Sequence, residues 1–168
     1  MKVILYMATT VNGLIAKKND ETPWSEEEYK SYFDFVKKRR NIVVGRRTYE
    51  IMKTTHLTEK FRNVVIVVLS HSIHAKMDNA IFVSSAREAI KTLKKMGFKE
   101  IVLAGGGRIN GSFLDDGLID EIYLDVEPMV FGDGIELFSK AGKNLKLRLL
   151  GARKLSRDTI QLHYKVIK

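Results

Sequence analysis

Ala104-Gly105-Gly106-Gly107-Arg108 follows the apolar run Ile101-Val102-Leu103 and precedes a short helical pattern over 109–114. Three consecutive glycines at the end of a buried strand cost backbone entropy, so they are expected where the main chain passes very close to another group. A strand, a glycine turn and a helix start together present unpaired N–H groups that suit an anion such as a phosphate. A plain tight turn could have the same residues, so the choice between the two interpretations depends on the rest of the sequence.

Apolar runs alternate with helical patterns along the chain, which is typical of an α/β protein with a mostly parallel sheet. Helices are predicted over 25–40 and 85–96, because Ser25 and Ser85 are each followed three residues later by glutamate in the pattern of a capping box. Buried strands are predicted over 3–8, 42–44, 64–69, 81–83, 101–104 and 121–126. Alternating apolar and polar residues over 145–149 and 160–166 predict an antiparallel strand pair at one edge of the sheet.

Composition limits the class of protein. The 168 residues contain 45% hydrophobic and 29% charged residues, which predicts one soluble globular domain over 1–168. No stretch is long and apolar enough to span a membrane, no secretory signal is present, and the lack of cysteine excludes disulfides, so we expect a cytoplasmic protein. The net charge of +9 favours an anionic partner. Because no aromatic-rich nucleic-acid motif accompanies the charge, we expect a phosphorylated small molecule rather than a nucleic acid.

Groups suited to phosphate follow four of the predicted strands. In an open α/β sheet, ligands bind beyond the carboxyl ends of the strands, and arginine suits bidentate phosphate contacts. The four strand ends carry Gly45-Arg46-Arg47-Thr48, Ser70, Ser84-Ser85 and Gly105-Gly106-Gly107-Arg108. They predict a site for a ligand with two or three phosphates. The dinucleotide fingerprint itself is not met, because Asn110 occupies its third glycine position, so a standard Rossmann domain is not expected.

Two carboxylates are candidates for chemistry. Glu28 completes the capping box with Ser25, yet it also borders the apolar face of its helix, where aromatic neighbours would raise its pKa and suit it to proton transfer. Asp125 lies inside an apolar strand and points either to solvent or into a cleft. His71 and His74 could bind a metal, but no clear third ligand accompanies them, and no metal site is predicted.

The order of these motifs resembles the dihydrofolate reductase superfamily, in particular the reductase domain of riboflavin-pathway deaminase-reductases and divergent thermophilic dihydrofolate reductases. The resemblance covers nearly the whole chain. It rests on segments 3–16, Trp24 with the helix after it, 45–49, 69–70, 105–108, and 127–128 with 130–134.

This resemblance implies a three-layer α/β sandwich, with a mostly parallel central sheet and a C-terminal antiparallel strand pair, that binds NADPH and forms a homodimer. Ala8 and Ile15 would hold the nicotinamide amide through backbone groups, and Arg46, Arg47, Thr48 and Ser70 would bind the phosphates of the adenosine half. The implied cofactor-binding residues are Ala8, Ile15, Gly45, Arg46, Arg47, Thr48, Ser70, Gly105, Gly106, Gly107, Arg108 and Ile109. Glu28 falls at the position where the folate enzymes of this family carry their active-site acid. The implied catalytic residues are Glu28 and Asp125, and the implied substrate-binding residues are Trp24, Glu28 and Tyr32.

Departures from the family leave the substrate open between a pyrimidine and a pterin. Asp125 stands where folate enzymes usually carry threonine, and no arginine aligns with the one that grips the folate glutamate, although Lys60 and Arg62 are near. The stretch over 127–134 favours a ribosylaminopyrimidine phosphate of riboflavin synthesis, whereas Glu28 favours dihydrofolate. A module that binds the cofactor without reducing anything is the second class of function, and nucleic-acid binding through the net charge is the third.

Overall fold

The computed structural model describes residues 1–70 and 80–168. Its strands are β1 (Lys2–Thr10), β2 (Leu14–Ala16), β3 (Asn41–Gly45), β4 (Val65–Leu69), β5 (Ala80–Val83), β6 (Glu100–Leu103), β7 (Glu121–Glu127), β8 (Ile135–Glu136), β9 (Lys146–Lys154) and β10 (Ile160–Ile167). Its helices are α1 (Glu26–Arg39), α2 (Arg46–Thr54), α3 (Ala86–Lys95) and α4 (Gly107–Asp115), with a 3₁₀ helix at Leu57–Phe61.

Eight strands form the central sheet in the order β5-β4-β3-β6-β1-β7-β10-β9. The pairs from β5 to β7 are parallel, whereas β10 runs antiparallel to both β7 and β9. One hydrophobic core lies between the sheet and α3 and α4, and a second lies between the sheet and α1 and α2. This arrangement confirms the predicted three-layer α/β sandwich with a C-terminal antiparallel pair.

The two predicted helix starts are confirmed, but only half of each capping box forms. The Ser25 and Ser85 hydroxyls accept hydrogen bonds from the backbone N–H of Glu28 and Glu88, as N-caps do. The Glu88 carboxylate accepts from the backbone and hydroxyl of Ser84. The Ser25 backbone N–H donates instead to Glu127, a residue of the distant strand β7.

Four short elements were not predicted from the sequence, and one of them is the 3₁₀ helix Leu57–Phe61. Helix α2 begins directly after Gly45, in a segment to which we assigned no helix, and strands β2 and β8 pair with each other outside the main sheet. Gly134 makes the β2–β8 pairing possible, because a Cβ there would lie 2.3 Å from the Ala16 carbonyl oxygen. Asn12 fixes the turn before β2 to a distant loop, since its side chain bonds both the N–H and the carbonyl of Phe131.

Candidate functional site

Two adjoining cavities open at the carboxyl ends of the parallel strands. The inner pocket, of about 190 Å³, is enclosed by β1, β2 and α1 and by aromatic side chains. The outer cavity, of about 900 Å³, lies over the starts of α2 and α4. The residues that line both are Asp20, Thr48, Ile51, Gly106 and Ile135. A ligand long enough to span the two would therefore pass between α2 and the glycine turn.

Most residues predicted to bind the cofactor line these cavities. Those in the outer cavity are Gly45, Arg46, Arg47, Thr48, Ser70, Gly106, Gly107, Arg108 and Ile109. Ala8 and Ile15 line the inner pocket. Gly105 lies between the two strand ends, where its carbonyl accepts a hydrogen bond of 2.8 Å from the Gly45 N–H. The structure thus brings together three of the four predicted strand ends. The fourth, Ser84-Ser85, caps α3 instead and is not among the lining residues of either cavity.

The donor groups of the outer cavity suit a phosphorylated ligand. Helices α2 and α4 each have nine residues, and each begins at a glycine N-cap that supplies no side-chain hydrogen bond. Their first N–H groups therefore receive no N-cap side chain and lie at the outer cavity, beside the positive end of each helix dipole. Arg46, Arg47 and Arg108 add guanidinium groups at the same place. These groups fit the phosphates of a dinucleotide such as NADPH.

Two of these arginines carry acidic partners. The Arg46 Nε lies 2.8 Å from a Glu50 carboxylate oxygen, one turn further along α2. The Arg47 guanidinium donates to the Asp20 carboxylate at 2.6 and 2.9 Å. Asp20 lines both cavities, so this ion pair joins the loop before α1 to the start of α2. A phosphate that binds Arg47 has to compete with Asp20.

The inner pocket is lined mainly by apolar and aromatic side chains, and all three predicted substrate-binding residues, Trp24, Glu28 and Tyr32, line it. The Trp24 ring stacks on Phe131 with 5.9 Å between ring centroids. No lysine or arginine is among the described residues that line this pocket, and its acidic members are Glu28 and Asp20. The shape and chemistry suit a flat, mostly apolar heterocycle that presents a polar edge to Glu28.

Glu28 is buried, with 3% of its surface exposed, and its side chain does not complete the capping box. Glu127 accepts the Ser25 backbone N–H in its place, at 3.2 Å. Within the described residues the Glu28 carboxyl group has no hydrogen-bond partner of its own. Burial, together with the nearby charges of Asp125 and Glu127, raises the pKa of Glu28 to about 9. Glu28 is therefore a neutral acid at pH 7, able to donate a hydrogen bond or a proton.

Asp125 is fully buried and is not among the residues that line either cavity. Its carboxylate accepts hydrogen bonds from the Tyr6 hydroxyl at 2.6 Å and from the Gln161 amide at 2.7 Å. Burial raises the pKa of Asp125 to about 6, although these two hydrogen bonds oppose the increase. Tyr6 lines the inner pocket and separates Asp125 from it, so a substrate in the pocket would not contact Asp125 directly.

Sequence reasoning missed Tyr6, Asp20 and Glu127. Tyr6 lies in a predicted buried strand and Glu127 directly follows another, and only their partners 119 and 102 residues away make them part of the site. The one signal in the sequence is a polar group within an apolar run, which singled out Asp125 and also applies to the Tyr6 hydroxyl. His71 and His74 lie outside the described residues. Among the residues that the structure describes, no cluster of potential metal ligands and no membrane-spanning helix is found.

The sheet order, the paired cavities and the glycine turn define a protein of the dihydrofolate-reductase-like superfamily. The RibD C-terminal domain model matches residues 1–161, and the chain belongs to that family.

Two relatives and two solved structures illustrate the similarity. The uncharacterized protein YwjB of Bacillus subtilis is 31% identical, with 97% of each chain covered. Dihydrofolate reductase type 1 of Escherichia coli is 29% identical over 76% of this chain and 78% of its own length.

Among solved structures, the Thermotoga maritima diaminohydroxyphosphoribosylaminopyrimidine deaminase/5-amino-6-(5-phosphoribosylamino)uracil reductase superposes with a TM-score of 0.79 at 16% identity. The match covers 99% of this chain and 56% of that one. Dihydrofolate reductase from Enterococcus faecalis, complexed with NADP(H) and RAB-propyl, superposes with a TM-score of 0.77 at 17% identity, covering 99% and 97% of the two chains. These structural likenesses establish the shared fold.

Proposed function

We propose that the protein is an NADPH-dependent reductase of a ribosylaminopyrimidine phosphate, of the type of 5-amino-6-(5-phosphoribosylamino)uracil in riboflavin biosynthesis. The observation that carries the proposal is that a cavity suited to phosphate adjoins a pocket that contains the acid Glu28, with Thr48 and Gly106 lining both. Membership of the RibD C-terminal domain family supports this substrate class. The NADP(H) complex of the Enterococcus faecalis enzyme, which has the same fold, supports the cofactor.

The residues of the outer cavity would hold the cofactor by its phosphates. The N-terminal N–H groups of α2 and α4, with Arg46, Arg47 and Ser70, would bind the phosphates and the adenosine half. Ala8 and Ile15, in the inner pocket, would hold the nicotinamide end. When bound, NADPH supplies a hydride for a C=N or sugar-imine carbon.

The inner pocket would orient the substrate and exclude water. Trp24 and Tyr32 would contact the heterocycle, and the apolar lining would keep bulk solvent from the reacting atoms. Reduction of a C=N bond consumes one proton for each hydride. Glu28, a protonated carboxyl group that faces this pocket, would supply that proton to the nitrogen or hold its hydrogen bond.

Dihydrofolate is the second candidate substrate, and the lining of the inner pocket favours it. A ribosyl phosphate needs a cation, yet the described residues that line the inner pocket include no lysine or arginine. The pterin ring of dihydrofolate needs only a flat apolar slot with one acid, and the cation for its glutamate carboxylates would have to lie outside this pocket, where Lys60 and Arg62 are near. The 29% identity to Escherichia coli dihydrofolate reductase type 1 adds to this alternative.

Measurement of NADPH oxidation with both substrates side by side tests the proposal. Turnover of the ribosylaminopyrimidine phosphate supports the first candidate, and turnover of dihydrofolate alone supports the second. NADPH binding without turnover of either would leave a module that binds the cofactor and reduces nothing. Equal affinity for NADPH and NADH, or no affinity, would contradict the choice of cofactor.

We propose further that two copies of this domain, each spanning residues 1–168, form a homodimer through the C-terminal strand pair. Strand β9 is one edge of the sheet and is exposed along its length, and Leu147 and Leu149 on β9 and Ile160 on β10 leave apolar surface uncovered there. An uncovered apolar edge favours pairing with a second copy. Light scattering at micromolar concentration should give the mass of a dimer, and the mass of a monomer would contradict this proposal.

A further inference from the structure

Three buried carboxyl groups lie around the start of α1. Glu28 faces the inner pocket, whereas Asp125 and Glu127 project from β7, two residues apart on the face of the sheet that α1 covers. The two β7 carboxyl groups differ from Glu28 in one respect. Both are surrounded by hydrogen-bond donors, and Glu28 is not.

Glu127 accepts three hydrogen bonds. The Ser25 hydroxyl and backbone N–H donate to it at 2.8 and 3.2 Å, and the Thr159 hydroxyl donates at 3.1 Å. The Ser25 hydroxyl accepts the Glu28 N–H, so its own proton is directed at Glu127. A carboxyl group that only accepts is the ionised form. Glu127 therefore places a negative charge beside the first turn of α1.

Asp125 is held in a similar way. The Tyr6 hydroxyl and the Gln161 amide both donate to it, and the Gln161 carbonyl oxygen accepts from the Arg153 guanidinium at 2.9 Å. The Tyr6 oxygen also lies 2.8 Å from the Ser31 hydroxyl on α1. This network fixes the orientation of each member and supplies the donors that a buried carboxylate requires.

The titratable groups that face Glu28 from the surrounding elements are either acidic or phenolic. They are Tyr6 on β1, Asp20 in the loop before α1, Tyr29 and Tyr32 on α1, and Asp125 and Glu127 on β7. Among the described residues that line the pocket, there is no lysine, arginine or histidine to offset them.

We infer that Asp125 and Glu127 are positioning residues of the proposed reductase, which act on the substrate only through Glu28. Their hydrogen-bonded negative charges disfavour a third negative charge in the same low-dielectric space. Glu127 has a second effect, because by taking the Ser25 N–H it leaves the Glu28 side chain directed at the pocket.

The inference deepens the proposed function, because it states what kind of group Glu28 presents. A protonated carboxyl group donates a hydrogen bond, so it selects a substrate with an acceptor, such as an imine nitrogen or a ring carbonyl. A heterocycle that is already a cation would find no carboxylate there at neutral pH. The favoured substrate is therefore an uncharged ring whose acceptor atom lies against Glu28.

NMR of the side-chain carboxyl carbons of isotope-labelled glutamate, in the ligand-free protein, tests this inference without any turnover. The spectrum of Glu28→Gln identifies the Glu28 signal. In the parent protein that signal should titrate near pH 9. Asp125→Asn and Glu127→Gln should each lower the midpoint by about one pH unit or more, the scale expected for removal of a nearby like charge. Glu27→Gln is the matched control, because it removes the same charge from an exposed position next to Glu28.

Each other outcome contradicts the inference. A parent midpoint in the ordinary range of glutamic acid would overturn it. So would midpoints that stay in place in both variants while the melting temperature falls, because that pattern belongs to purely structural residues. Loss of the folded state in both variants, with Glu28→Gln still folded, would have the same meaning. If the midpoints move as expected but neither substrate is reduced, the proposed function is wrong and this inference stands.

Discussion

Glu127 accepts the Ser25 backbone N–H at 3.2 Å, the bond that a local capping box would assign to Glu28. One carboxylate from β7 therefore replaces another from α1 at the helix start. Within the part of the chain that the structure describes, the exchange leaves the Glu28 carboxyl group buried and without a hydrogen-bond partner at the wall of the inner pocket. The sequence left open whether Glu28 caps the helix or takes part in the chemistry. Because Glu127 accepts the capping bond, the geometry favours the chemical role.

Replacement of Glu28 by glutamine should abolish the proton supply while it keeps the size of the side chain. We expect turnover to fall by about 100-fold or more, the usual scale for a general acid. The dissociation constant for NADPH should change little, because Glu28 is not among the residues that line the outer cavity. Steady-state kinetics and a cofactor titration on the same preparation test both statements. Unchanged turnover would remove Glu28 from the mechanism and would also argue against dihydrofolate as the substrate.

Arg46 should carry part of the affinity for NADPH. We expect Arg46→Ala to raise the dissociation constant by about tenfold or more, because a charge-assisted hydrogen bond contributes about 1.5–3 kcal/mol. Arg87→Ala is the matched control, since Arg87 pairs with Asp116 and is not among the lining residues of either cavity. Fluorescence titration with NADPH and NADH gives the comparison. An unchanged constant would assign the role to Arg47 or to a lysine.

The sequence predicted the parts of the fold that depend on periodicity. Helix α1 and helix α3 have a continuous apolar face, and the central strands are buried apolar runs, so their patterns extend over several residues. Helix α2 buries only Tyr49 and Met52, and β8 has two residues, so neither carries an apolar pattern long enough to detect.

The candidate site likewise has a part that the sequence predicted and a part that it did not. Groups at the strand ends were predictable, because parallel strands bring their carboxyl ends to one edge of the sheet. The partners of Glu127 and Asp125 come from other elements, and their hydrogen bonds connect residues such as Tyr6 and Asp125 that are 119 positions apart. A single sequence carries no local signal of such contacts. The capping-box pattern at Ser25 was misleading for the same reason, because the carboxylate that accepts the Ser25 N–H is that of Glu127, 102 residues away.

Gly107 should tolerate no side chain. An added Cβ would lie 2.2 Å from the Glu136 carbonyl oxygen and 2.5 Å from the Ser139 hydroxyl, and the first of these is backbone that cannot rotate away. We expect Gly107→Ala to destabilise the protein by about 1–3 kcal/mol or more and to weaken NADPH binding, since it displaces α4 from the outer cavity. Gly132→Ala is the control, because, apart from its chain neighbours, no atom of the described residues lies within 4 Å of its added Cβ. That change should be neutral or stabilising by up to about 1 kcal/mol. Equal free energies of unfolding for the two variants in urea would contradict the packing argument.

Glu28 should destabilise the folded protein at neutral and alkaline pH. Its pKa is about 9 in the fold, against the ordinary value of 4.5, so between these values the native state binds a proton that the unfolded chain has lost. The contribution of Glu28 to stability is therefore fully present below about pH 4.5 and is lost as the pH rises through about 9.

Glu28→Gln removes this dependence, so its free energy of unfolding should exceed that of the parent by an amount that grows with pH, by at most about 1.4 kcal/mol per pH unit. Urea unfolding between pH 6.5 and 9 isolates the effect, because Asp125, with a pKa of about 6, is already ionised over most of that range. Glu27→Gln, at an exposed position, should show no such trend. A gap between Glu28→Gln and the parent that stays constant with pH would mean that Glu28 is ionised in the folded protein. It would then have to bind its substrate as a carboxylate, and a group on the substrate or the solvent would have to provide the proton.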